Sequence, residues 1–187
     1  MADGSIATMN DAELDALVEQ FIARGDDQVT PQHFLPVMTG IAEQGSSCMK
    51  YPDPFTGAWK LSPEDSRLAG QTPQCWIQKI VASDNDVSVQ EEIVFDNGAQ
   101  INVTVRARFD GQDYPVNGSP IADTIAYTRM DDLTISGTAK KAGVITVIET
   151  VSVSRDYSAL TMKYSIRSRE GQQASSIAVF KREPDVS

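Results

Sequence analysis

A mainly β fold is predicted by this sequence: a closed antiparallel up-and-down barrel of about eight to ten strands behind an N-terminal helical extension. Three observations carry that expectation. From Thr56 onward apolar and polar residues alternate with period two, as in a strand with one dry and one wet face. The alternating stretches recur about every ten residues, separated by residues suited to tight turns. No strand is followed by an amphipathic helix, so a parallel α/β sheet is not expected. Closing such a meander removes its exposed edges.

The extension spans residues 1–52 and the barrel 53–187. Asn10-Asp11-Ala12-Glu13 has the pattern of a capping box, in which Asn10 accepts from free backbone N–H groups and Glu13 reaches back. Leu14, Leu17, Val18, Phe21 and Ile22 follow at helical spacing, and Gly25 suits the left-handed position after the helix. Thr30-Pro31 opens a second helical piece, which Pro36 kinks. The apolar face of this extension has three uses open to it: a lid over the barrel mouth, packing on the outer wall, or a homodimer contact.

Within the barrel, Gly57-Ala58-Trp59 forms the first turn and floor: glycine permits a sharp bend, and the indole covers a large apolar area. Strands are expected near 57–61, 75–82, 87–95, 100–109, 113–116, 124–130, 133–140, 144–153, 159–168 and 174–183. Asp96-Asn97-Gly98, Asp110-Gly111, Asp131-Asp132, Ala142-Gly143 and Glu170-Gly171 supply the turns, where positive φ is tolerated.

Composition excludes several functions. The 187 residues carry a formal net charge of -10. Nucleic acids and anionic membranes both require a basic surface, so neither is an expected partner. Residues 1–10 lack the apolar core of an export signal and no run is long enough to span a bilayer, which points to the cytoplasm. Cys48 and Cys75 have no metal or redox spacing; two reduced thiols are expected, with a disulfide as the alternative. His33 is the single histidine, so no metal site is expected. Neither GxSxG, GxGxxG nor a P-loop occurs, so no cofactor is expected.

Beyond Gly57-Ala58-Trp59, an ordered set runs through Phe109-Asp110-Gly111-Gln112-Asp113-Tyr114-Pro115, Ala122-Asp123-Thr124, Arg129-Met130-Asp131, Lys140-Lys141 and Val179-Phe180-Lys181-Arg182. Over residues 53 to 183 this set resembles bacterial lipocalin-like barrels of the calycin superfamily. The resemblance implies a lipocalin-like barrel with an interior for a small hydrophobic molecule. It also implies a basic residue of the last strand, Arg182 or Lys181, packed on Trp59. Small barrels of this general kind look like the cyclases, [4+2] cyclases included, of bacterial polyketide-type natural product pathways.

Two carboxylates interrupt apolar faces. Glu91 shares a face with Val87, Val89, Ile93 and Phe95; Glu149 shares one with Ile145, Val147, Val151 and Val153. An inward carboxylate costs several kcal/mol unless it is paired or protonated. The pair is therefore either catalytic, as general acid and base or as ligand anchor, or structural, turned outward or paired with Arg106 or Arg108. Tyr127 and Tyr164 join them as candidate catalytic donors, and Tyr114 is a third phenol near a strand. Ordinary packing is the alternative for each. Gln78, Gln90 and Lys163 could also donate, with nothing to distinguish them. Trp76, Met130, Met162, Phe21 and Val18 are the candidate ligand-binding residues, the last two from the extension; core filling is the alternative for the methionines.

The expected function is binding of a small hydrophobic molecule in the barrel. A cofactor-free cyclase or isomerase acting on that molecule is the first reading. A non-catalytic carrier or sensor is the second, and a barrel filled by its own side chains the third.

Overall fold

The computed structural model describes residues 53–167 and 171–184. The extension expected to be helical, with Val18, Phe21, His33 and Cys48, lies outside the described residues. Ten strands are found among the described residues: β1 (Gly57–Leu61), β2 (Cys75–Ala82), β3 (Asp86–Val94), β4 (Gln100–Arg108), β5 (Tyr114–Asn117), β6 (Thr124–Asp131), β7 (Thr134–Lys141), β8 (Val144–Val153), β9 (Ala159–Arg167) and β10 (Gln173–Arg182). Each strand pairs antiparallel with its sequence neighbours, and β10 closes onto β1 through Trp59↔Arg182 and Leu61↔Phe180. The result is an up-and-down barrel without a free edge, a lipocalin-like fold.

The turns follow their chemistry. Gly98 adopts φ 81° in the β3–β4 hairpin, and Ala142 (φ 50°) and Gly143 (φ 79°) form the β7–β8 turn. The β8–β9 turn uses no glycine. There the Asp156 carboxylate accepts from Ser154 Oγ at 2.6 Å, Ser158 Oγ at 2.9 Å and the Ser158 N–H at 3.2 Å. Those bonds hold its pKa down at about 2.

One end of the barrel is sealed. Trp59 and Phe55 are fully buried there, and the indole N–H donates to the Phe55 carbonyl at 2.9 Å. The Arg182 guanidinium lies 4.0 Å from the centre of the Trp59 ring and donates to the carbonyls of Thr56 (2.6 Å), Pro54 (2.7 Å) and Tyr157 (2.7 Å). Of the two basic candidates, Arg182 takes this place, because strand alternation turns Lys181 outward to Asp65 at 3.0 Å. Gly57, at φ 150°, stands against the same guanidinium, so a side chain there would collide with Arg182. Arg129 closes the rest of the floor: it pairs with Asp53 at 2.6 Å and lies over the rings of Phe55 and Phe109.

Met130 is a correction. Expected on the pocket wall, it is 64% exposed. Ile125 and Tyr127 are the inward positions of β6, so alternation puts Met130, three residues beyond Tyr127, on the outer face with Thr128. Ile145, expected on the inner face with Glu149, is 40% exposed beside a second register shift at Ala139/Lys140. Arg106 and Arg108 are on the outer face, where Arg108 meets Asp86 at 3.6 Å, so neither neutralises an inner carboxylate. Gln90 and Lys163 also face outward.

Candidate functional site

The inward faces of the strands surround a cavity of about 180 Å³ that reaches the end opposite the Trp59 floor. Its rim is set by Leu68, Gln71 and Pro73 from the β1–β2 connection, Phe95 and Ile101 at the β3–β4 hairpin, and the 119–122 loop. Below it lies a second chamber of about 30 Å³, walled partly by Phe55, Gln78 and Phe109. Val89, Glu91, Tyr127, Glu149 and Met162 border both spaces and so form the layer between them.

That layer is a product of register. Tyr127 pairs with Gly137, Gly137 with Glu149, Glu149 with Tyr164 and Tyr164 with Ser176. Five successive strands, β6 to β10, thus contribute one polar row across the interior. On the other wall Gln78 pairs with Glu91. Gln78 is 2% exposed, and its amide donates to Glu91 Oε1 at 2.7 Å. The Tyr127 hydroxyl is hydrogen-bonded to Glu149, and Ser176 to the Tyr164 phenol.

Among the described residues no Lys, Arg or His lines either space, so none of them places a cation beside the carboxyls. Burial, and then the charge of Glu149, push Glu91 up to about 8, against the opposing Gln78 bond. Burial raises Glu149 to about 7, and the Tyr127 bond works the other way. The repulsion belongs to the pair, since whichever acid ionises second meets the charge of the first. Burial and the two glutamates push the Tyr127 phenol far up, and burial raises Tyr164. Below about pH 7 this is a layer of hydrogen-bond donors, and the first negative charge to appear as pH rises belongs to the pair.

Gly137 makes the layer fit. A Cβ there would stand 2.7 Å from Glu149 Oε1, 2.8 Å from its Cγ and 3.0 Å from Tyr127 Cε1. Trp76 is on the wall above, edge-on to Tyr164 (centroids 6.3 Å) and Phe180 (5.2 Å); its N–H has no hydrogen-bond partner among the described residues.

The structure therefore brings Glu91, Glu149, Tyr127, Tyr164, Trp76 and Met162 to one cavity and leaves Met130 outside. Tyr114 is spent on Asp110, donating at 2.8 Å. Sequence reasoning left Gln78 undistinguished and passed over Gly137 and Ser176. A glycine inside an otherwise regular strand was a usable signal of close approach. Among the described residues no cluster of His, Cys, Asp and Glu could hold a metal ion.

Fold and site together define a class: a closed ten-stranded up-and-down barrel with an apolar cavity divided from a sealed floor by buried acids and phenols. No protein-family model matches the chain, and no curated protein matches it in sequence. Similar solved structures include the zebrafish ileal bile acid-binding protein complexed with cholic acid (13% identity, 70% of this chain and 99% of that one, TM-score 0.47). Lobster apocrustacyanin A1 (11%, 72% and 63%, TM-score 0.36) and apocrustacyanin C2 (11%, 72% and 64%, TM-score 0.36) are also similar. At these scores the likenesses carry nothing about function; the site does.

Proposed function

We propose that this protein binds a small, mostly apolar molecule inside the barrel, above the Glu91–Glu149 layer. The carrying observation is the 180 Å³ cavity, which the side chains of the described residues leave unfilled and which apolar residues line almost throughout. A carrier or sensor needs no more than this. The neutral fluorophore N-phenyl-1-naphthylamine tests it. Saturable binding should quench Trp76, with Trp59 sealed in the floor as the unaffected reference. Absence of saturable binding would mean that the barrel is a filled structural core.

A second reading, cofactor-free cyclisation or isomerisation of the bound molecule, is favoured by the buried acids. Desolvated carboxyls are costly to a passive container, whereas raised acids beside phenols suit general acid and base work. Glu91, Glu149, Tyr127 and Tyr164 would polarise or orient a carbonyl while the apolar wall holds a flexible chain in a reactive fold, as in a [4+2] cyclase. Ligand recovered unchanged by mass spectrometry supports the carrier. Conversion that E91Q and E149Q abolish without loss of binding supports the enzyme.

A further inference from the structure

We propose that the cavity selects a neutral molecule whose carbonyl-type oxygen sits against the Glu91–Glu149 pair, and that it rejects organic anions of the same size. This rests on the binding reading above and names the chemistry of the ligand's polar end.

The wall of the cavity supplies contacts for an apolar body. Among the described residues its only ionisable groups are the two glutamates and the phenols of Tyr127 and Tyr164. At the depth of the cavity the inward residues of β4, β7 and β10 are uncharged: Val103 and Val105, Gly137 and Ala139, Ser176 and Ala178; Arg182, farther along the same face of β10, is at the floor against Trp59. Arg129, on the Tyr127 face of β6, is engaged by Asp53 at the floor and packs over Phe55 and Phe109. Among the described residues a ligand carboxylate reaching this depth would meet two acids and no cation, and a charge so placed is strongly disfavoured.

The layer offers hydrogens instead. Below their titration range both glutamates carry O–H groups. Gln78 and Tyr127 already satisfy one oxygen of each carboxyl. What remains is a donor on residues that border an otherwise apolar space, and a ligand oxygen is its natural acceptor. An ammonium would also be attracted, but only after an acid ionises and the cation loses its water.

Four probes of one shape distinguish these cases: 2-acetylnaphthalene, 2-ethylnaphthalene, 2-naphthoate and 2-(aminomethyl)naphthalene. Binding to the full chain is measured by calorimetry at about pH 6 and about pH 9, on either side of the pair's titration. The ketone should bind about tenfold more tightly than the hydrocarbon at the lower pH, as one good hydrogen bond provides. Its carbonyl stretch should fall in frequency on binding, and its advantage should shrink at the higher pH as the donors ionise. Naphthoate should not compete at either pH. E91Q/E149Q, which keeps an N–H donor at each position, should hold the ketone's affinity level across the range. The wild-type pH series stands alone if that variant does not fold.

Naphthoate or the amine binding as tightly as the ketone would overturn the inference, as would a ketone no better than the hydrocarbon. In either case the binding reading survives through the hydrocarbon. If none of the four binds, the binding reading itself fails and takes this inference with it.

Discussion

Gly137 and Glu91 hold the chemistry at the scale of single residues. Gly137 has no side chain because Glu149 and Tyr127 occupy the space above it. G137A should lower stability by about 1–3 kcal/mol, the usual cost of overpacking, and should weaken ligand binding as the carboxyl and phenol are forced apart. Thermal melts and probe titration check both. Glu91 has the opposite problem: it fits, but its charge does not. The folded protein keeps that proton up to about pH 8, whereas an ordinary carboxyl releases it near 4.5. Between those values the folded state binds more protons than the unfolded chain, so stability falls as pH rises. E91Q should match wild type near pH 4.5 and exceed it by a few kcal/mol, on the order of the linkage shift, near pH 8. Denaturant melts at the two pH values decide; equal gains at both would remove desolvation as the cause.

At the scale of elements, β1 and β10 close the barrel, and Arg182 is their clasp. It stacks on Trp59 and satisfies three carbonyls from two segments, Pro54 and Thr56 before β1 and Tyr157 in the β8–β9 turn. R182A should cost about 2–4 kcal/mol, since it removes charge-assisted bonds and strands buried carbonyls. R182K should recover only part, because an ammonium cannot span the same fork. Urea melts measure both. The polar row from β6 to β10 is also an element-scale feature. Each residue in it is ordinary on its own strand, and pairing alone brings them abreast.

For the whole molecule, opposing titrations set the pH of greatest stability. Asp65, Asp123 and Asp156 are held below ordinary values by their hydrogen bonds and lysine partners, so their contribution is lost as pH falls through the acid range. The Glu91–Glu149 pair acts in the other direction above about 4.5. Thermal stability should therefore peak between about pH 4 and 6 and decline toward pH 9. A ligand that keeps the pair protonated should flatten that decline. The cavity is the other whole-molecule property. A139F projects a ring from the β7 wall into the 180 Å³ space and should abolish probe binding while the melting temperature changes little.

Ten strands were legible from alternation and turn residues, because local steric preference and burial on one face act over a few residues. Glu91 and Glu149 stood out for the same reason, as charges at apolar positions. The sequence could not show which lay inward together. Arg106 and Arg108 were equally reasonable partners until the inward face of β4 placed them outside, and Met130 belonged to the wall only if Tyr127 did not, since the two sit on opposite faces of β6. Local chemistry thus determined the strands, their turns and the Trp59 floor. Only closure of the sheet decided the site, because a long-range register brings Gln78 to Glu91 and Tyr127 to Glu149, and Gly137 leaves room for them to meet.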